Sequence, residues 1–384
     1  FGLGGINFIV VLVGSCIGLY ISNHNLYRTG LKYCIWMLSI TFVVTSFISQ
    51  SDSFYQVNVN QEISDTTPVS CVFAQNAEYQ SQVYDNIWTN VESRVSKGDS
   101  FVIMSEEAFE VTSTDQESEL LELAYSIALT SVLDEVYIGV TYSKFIEGES
   151  MGSNQFALVS NIQSNSSNPI WNYHKAHPVP LVETDVTPGN GVLPTHQSMY
   201  GKLSGAICFD MDYPLTIQQA GQEKVDILIQ PSWTWDAINY RHFDGDAIRA
   251  VENGFSYFRC SSEGESGIVN PRGKFISRQY TGSDPLVEVT FSLPIVSHVI
   301  TIYNYFGLIF DWLCLILSIF IYIVTFIPDK YLYGINESCK PLLDSNQNQN
   351  QTQNQDMSSQ QEALIVHDTI HRNDGSMTQN DRFL

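Results

Sequence analysis

Positive charge is scarce in this chain. Lys and Arg together number 18 against 41 Asp and Glu, and the formal net charge is −23 over 384 residues. Nucleic acid is bound through a basic stripe that neutralises phosphates, and no such stripe is present, so polyanions are excluded as partners. The acidity is read as a device for solubility. Cysteine is sparse as well. The seven are scattered without CxxC spacing, which removes a zinc site of the usual kind. His367 and His371 lie four apart in a polar tail and make a poor metal pair. No metal or cofactor is expected. The chain also lacks an initiating Met and its first residues are already apolar, as expected of a terminus cut inside a longer protein.

In three stretches charge is almost absent. Residues 1–21 carry none, residues 33–49 are rich in Ile, Phe, Val and Trp, and residues 306–327 are interrupted only by Asp311 beside Trp312. Each is read as a transmembrane helix, the alternatives being a buried core helix or, for the first, a signal sequence. Asp311 is placed at the interface, because an acid at mid-membrane is costly. Residues 22–32 form a basic loop with Arg28 and Lys32, and the tail 328–384 opens with Lys330 and Lys340. Positive residues beside membrane ends favour the cytosol, so the domain between, residues 51–296, is expected to be extracytosolic or lumenal. The sequon at Asn165 agrees, but Asn336 and Asn350 are acceptors in the tail, so sequons alone do not decide. The Asn/Gln-rich tail cannot bury enough apolar surface to offset its chain entropy and is expected to be disordered.

Within the domain, strand-like and helix-like runs alternate. Strands are expected at 69–74, 101–104, 136–142, 203–208 and 227–230, and helices at 81–95, 117–133, 214–222 and 244–253. A hairpin of 156–162 and 169–174 delivers Lys175, and 257–261 with 267–270 form a late β pair. Alternation with short buried strands implies an α/β domain with helices outside a sheet core. Three chemically distinct groups sit at or just after strand-like runs: Glu106, Lys175 and Cys208. A thiolate attacks a carbonyl, a carboxylate moves protons, and an ammonium offsets the charge of the tetrahedral intermediate. The bland alternatives are an inert buried cysteine and a surface lysine. Cys71 and Cys260 also lie in the domain, and whether they pair is left open.

The order Glu, Lys, Cys in these contexts resembles the nitrilase or carbon–nitrogen hydrolase superfamily, over about 69–293. Gly201-Lys202-Leu203-Ser204-Gly205-Ala206-Ile207-Cys208-Phe209-Asp210 resembles the family's nucleophile strand and elbow. Arg249-Ala250-Val251-Glu252-Asn253-Gly254 resembles its helix end, and Ile268-Val269-Asn270-Pro271-Arg272-Gly273 the hairpin that follows. Flanking spans, with Glu183 eight residues after Lys175, are similar to the apolipoprotein N-acyltransferase branch. Pro214 to Gly221 and Gln230 to Trp235 also look like that branch. Ser105 stands where the family usually has Pro, and His177 to Glu183 matches the branch's loop only loosely.

The resemblance implies a nitrilase-like four-layer α-β-β-α sandwich, here flanked by transmembrane helices. It implies Cys208 as nucleophile, Glu106 as general base, and Lys175 with the Phe209 backbone N–H for the oxyanion. Glu183 would hold Lys175 or Glu106 in register, a solvent-facing acid being its alternative. Glu107 is expected to point elsewhere from a strand exit. Arg249 and Glu252, three apart on a helix, are expected to brace the fold. Three functions follow: a membrane N-acyltransferase carrying an acyl group from a membrane lipid through a thioester to an amine, an anchored amidase using water, and a non-catalytic membrane scaffold.

Overall fold

The computed structural model describes residues 65–307, apart from 74–79, 146–147, 149, 235–237 and 282–287, together with positions 309, 312 and 316. The runs expected to span a membrane at 1–21 and 33–49, the basic loop and the tail lie outside the described residues, as does nearly all of 306–327. Among the described residues no helix is long and apolar enough to cross a membrane.

The chain begins with strand β1 (Thr66–Val72), helix α1 (Gln80–Ser96), β2 (Phe101–Met104), β3 (Phe109–Val111) and helix α2 (Thr114–Ala128). It continues with β4 (Tyr137–Lys144), β5 (Ser153–Ser160), β6 (Trp171–His174), β7 (Thr195–Ser198) and β8 (Gly201–Gly205). Then come α3 (Pro214–Gln222), β9 (Ile227–Trp233), α4 (Asn239–Asn253), β10 (Ser256–Ser262) and β11 (Glu265–Val269). The last elements are β12 (Phe275–Tyr280), β13 (Glu288–Pro294) and the short helix α5 (Ile302–Phe306). One sheet has the order β13-β1-β2-β4-β5-β6, with β3 also on β4, and the other has β12-β11-β10-β9-β8-β7.

Period-two alternation explains how the sheets stack. Phe101, Ile103, Tyr137, Phe156 and Leu158 point into the core shared with the second sheet. Their neighbours Val102, Met104, Ile138, Ala157 and Val159 point to the opposite face, against Ile87, Val91, Leu120 and Ala124 of α1 and α2. Gly139 keeps the shared core tight, since a Cβ there would lie 2.7 Å from Ile103 and 2.9 Å from Phe156. On the far side, Ile217 and Ala220 of α3 and Phe243, Ala247 and Ala250 of α4 cover the second sheet. The layers therefore run helices, sheet, sheet, helices, the expected four-layer sandwich. A disulfide joins Cys71 of β1 to Cys260 of β10 and so ties one sheet to the other, 189 residues apart in sequence.

Most expected elements are present with shifted ends. Helix α2 begins at Thr114, before 117, because the Ser113 Oγ accepts the Gln116 N–H and caps it. It ends at Ala128 instead of 133. Helix α4 begins five residues before the expected 244, at Asn239. It stops at Gly254, whose φ of 77° is left-handed and whose Cβ would meet Val299 O at 1.7 Å. That steric demand explains the glycine of the Arg249–Gly254 segment. Strands β3, β7, β12 and β13 were not expected; β7 and β12 are edge strands with mixed, partly exposed patterns that carry little apolar signal.

Candidate active site

Chain reversals at the ends of β2, β6 and β8 bring the three singled-out groups to one end of the sandwich. Glu106 lies in the turn after β2 and is 5% exposed. Its backbone N–H donates to Ser232 O of β9 at 3.3 Å, so the turn is pinned to the other sheet. Glu106 Oε1 accepts from Lys175 Nζ at 2.7 Å and from Asn154 Nδ2 at 2.8 Å, while Oε2 accepts from the Trp233 N–H at 2.8 Å. Both carboxylate oxygens are thereby fixed in place.

Lys175 follows the last residue of β6 and is 1% exposed, so its ammonium needs compensation nearby. It finds two carboxylates: Glu106, and Glu183 with Nζ–Oε distances of 2.8 and 2.7 Å. Burial works to lower the lysine pKa, but Glu106, the Cys208 thiol and Glu183 outweigh it and the net shift is upward. Lys175 is therefore held as a cation. Glu183 Oε2 also accepts the Val179 N–H at 2.5 Å, which closes the loop carrying it. Glu183, which the sequence offered as a holder of Lys175 or Glu106, is thus in direct contact with Lys175.

Cys208 is not the last residue of a strand. Strand β8 stops at Gly205, and Cys208 opens a 3₁₀ turn, Cys208–Asp212, with φ at +41°. Left-handed backbone at a non-glycine residue costs on the order of 1–3 kcal/mol and clusters at functional positions. Gln230 Nε2 donates to Cys208 O at 2.8 Å, and the Sγ lies 3.6 Å from Trp233 O. Burial pushes the thiol up to about 12, Glu106 adds to this, and Lys175 and Arg259 oppose it. At rest it is a neutral thiol that needs a base. Cys208 is the free cysteine among the described residues.

Several participants carry no recognisable sequence signal. Asp210, fully buried, accepts from Tyr173 Oη at 2.9 Å, from the Ala176 and His177 N–H groups at 3.1 and 2.8 Å, and from the Ile207 N–H at 3.1 Å. It ties the elbow to the segment that bears Lys175. Its place two residues after Cys208 was the available clue. Asn154 sits in β5 with nothing to mark it. Arg249, expected to brace the fold, donates from Nε to Met211 O at 3.0 Å in the turn that Cys208 opens, and its guanidinium pairs with Glu252.

Glu107 lies in the turn that follows β2, with φ at +54°. Its half-buried carboxyl is pushed up to about 7, first by burial, then by Glu106, Glu183 and Asp185, against the pull of Lys175. It therefore lies within the electrostatic field of these charges.

Asp212, His242 and Asp246 bring one ligand-type atom each within 4.8 Å of one another. Arg259 stands in the same cluster, 2.5 Å from Asp246 Oδ2 and 3.3 Å from His242 Nδ1, so a cation would meet positive charge. The cluster is read as a hydrogen-bonded support beneath the elbow.

Residues 127–296 match the carbon-nitrogen hydrolase family. The apolipoprotein N-acyltransferase of Rickettsia bellii (strain RML369-C) is 24% identical over 365 residues, covering 86% of this chain and 68% of that protein. The apolipoprotein N-acyltransferase of Rickettsia typhi (strain ATCC VR-144 / Wilmington) is 28% identical over 134 residues, 29% of this chain, and only 27% of that protein's length is spanned. Among solved structures, Saccharomyces cerevisiae Nit3, a member of branch 10 of the nitrilase superfamily, is 20% identical with a TM-score of 0.48. That alignment covers 60% of this chain and 91% of Nit3.

Proposed function

We propose that this chain, which belongs to the nitrilase (carbon–nitrogen hydrolase) superfamily, is a membrane-anchored N-acyltransferase working through a thioester on Cys208. The observation that carries the proposal is the Lys175 ammonium held between Glu106 and Glu183, charged and buried, beside a thiol in a left-handed elbow. Left-handed backbone at a non-glycine residue clusters at functional positions, and here it coincides with a buried ion cluster whose carboxylates outnumber its cation.

In the first half-reaction Glu106 takes the Cys208 proton as sulfur attacks the acyl carbonyl of a lipid ester. Lys175 and the Phe209 backbone N–H stabilise the oxyanion. Collapse breaks the ester C–O bond, and Glu106 returns the proton to the leaving alcohol. In the second half an amine attacks the thioester, the C–S bond breaks, and the thiol is restored. Glu183 acts by holding Lys175.

The membrane assignment rests on the apolar runs at 1–21, 33–49 and 306–327. The Cys71–Cys260 disulfide supports an extracytosolic or lumenal domain, because such bonds persist in oxidising compartments. Asn165, exposed in the turn between β5 and β6, is where a glycan would fit on that side. An anchored amidase would use the same first step with water as acceptor.

The test is a labelled phospholipid incubated with the full chain in membranes. Label is expected on Cys208, removable by hydroxylamine and absent in Cys208→Ala. Persistent absence of label from correctly folded wild-type protein rejects the reading.

A further inference from the structure

The left-handed backbone of Cys208 must be enforced by its surroundings, because nothing in a cysteine side chain favours it. Two contacts hold the turn Cys208–Asp212 from β9 and α4: Gln230 Nε2 on Cys208 O, and Arg249 Nε on Met211 O. The contacts on Phe209 and Asp210 come from the other side, from the loop that leaves β6, and they centre on His177.

His177 donates its backbone N–H to Asp210 Oδ1 at 2.8 Å, and its Nδ1 lies 3.0 Å from the same oxygen. Tyr173 Oη and the Ala176 and Ile207 N–H groups are aimed at this carboxylate too, so both its oxygens accept and Nδ1 is the donor. The imidazole lies flat on the Tyr213 ring, with 3.5 Å between centroids and 13° between planes. Tyr213 in turn meets Phe209 edge to face, at 5.4 Å and 85°. One side chain thus bears on the turn at Asp210 directly and at Phe209 through Tyr213. Because Asp210 also grips the Ile207 N–H, Cys208 and Phe209 lie between two points that it fixes. Pro178 follows His177 and disfavours helical backbone there, which narrows the directions in which the ring can point. Lys175 is anchored separately: its N–H donates to Asn154 O at 2.9 Å, and its ammonium is held by Glu106 and Glu183.

We propose that His177 is a positioning residue for the oxyanion: its ring holds the elbow so that the Phe209 N–H points at the developing negative charge. This rests on the acyl-transfer reading above and adds His177 to it. A backbone donor helps only when it is aligned on the place where charge develops, and a displacement of about 1 Å can cost about 10²-fold in rate. Without the imidazole, Cys208 is free to relax from its left-handed backbone, and that turns the peptide joining it to Phe209. Lys175 and Glu106 keep their places, so ionisation of the thiol is preserved. The loss falls on attack at a carbonyl.

The experiment uses the full chain in membranes, as wild type, His177→Ala, His177→Asn and His177→Phe. Asn keeps an N–H donor close to the place of Nδ1 without a ring, and Phe keeps a ring without the donor. Two rates are read at Cys208 by mass spectrometry. One is thioester formation from a labelled phospholipid over a range of lipid concentrations. The other is alkylation by iodoacetamide, a displacement at saturated carbon that forms no oxyanion. Thioester formation is expected to be about 10²-fold slower in His177→Ala and roughly 10-fold slower in the other two. The fall lies in the maximal rate, with the half-saturating lipid concentration unchanged, and alkylation matches wild type in all three. Loss of both rates together makes His177 a general prop of the fold and overturns the inference. An unchanged thioester rate in His177→Ala overturns it as well, as do Asn and Phe variants no faster than Ala. Where His177→Ala does not fold, the Asn and Phe variants carry the test on the same two rates. A wild-type chain that iodoacetamide alkylates but lipid never acylates rejects acyl transfer itself, and the role of His177 with it.

Discussion

Among the described residues, two of the buried ion clusters lie one on each sheet's side of the proposed nucleophile, and they differ in balance and closure. In the first, Lys175 faces Glu106 and Glu183, with Glu107 nearby, so carboxylates outnumber the cation and the cluster opens to solvent through half-buried groups. In the second, the buried Arg259 pairs directly with the buried Asp246, Gln230 and Tyr257 add hydrogen bonds to that pair, and only at its margin, through His242, does an exposed carboxylate, Asp212, stand. Both Arg259 and Asp246 are essentially without exposure. A closed, balanced cluster does structural work, because desolvation must be matched charge for charge. An open cluster with surplus charge can exchange protons and attract an ion. Similar residue types thus serve two ends, and access distinguishes them.

The largest expected effect is at Arg259. Arg259→Met leaves Asp246 buried without its cation, and a loss of about 3–5 kcal/mol in unfolding free energy is expected. Adding Asp246→Leu should recover much of it. A variant that melts like wild type yet fails to form the Cys208 thioester would place Arg259 in the chemistry and erase the distinction. Lys175→Met should slow thioester formation by about 10²–10³-fold, with a smaller fall in melting temperature than Arg259→Met. Single-turnover labelling and thermal melts on the same preparations separate the two effects. The third is a Cys71→Ala, Cys260→Ala double variant, which removes a long-range tie worth about 2–4 kcal/mol. Its chemical denaturation midpoint should fall while labelling per folded molecule is unchanged. Reduced labelling would show instead that the disulfide sets the register between Glu106 on one sheet and Cys208 on the other.

Much of the site could be read locally. Phe101 to Met104 is a buried run whose alternation placed Glu106 just beyond a strand end, and the structure has that strand with the same bounds. The helix 214–222 was equally plain, with Pro214 at its start. Cys208 was drawn as the end of a strand because its apolar approach, Ala206-Ile207, is continuous with β8. The break at Gly205 and the left-handed turn depend on Asp210 accepting the Ile207 N–H, a bond that hydropathy does not register. Glu107 was ranked below Glu106 on strand geometry, where neighbours face opposite ways; it lies in a turn, where that alternation does not apply.

Residue types and their order were sufficient for the α/β fold class, for proposing an acyl chemistry based on a thiol, and for naming Glu106, Lys175 and Cys208 as the set to examine. These depend on short-range patterns of burial and on the intrinsic chemistry of side chains. Folding alone decided which groups meet: Asn154 with Glu106, Asp210 with the segment beyond Lys175, Cys71 with Cys260, and Arg259 with Asp246. Each joins strands or turns distant along the chain. Their proximity follows from strand order and sheet stacking, and the charge each group carries follows in turn from its burial and partners.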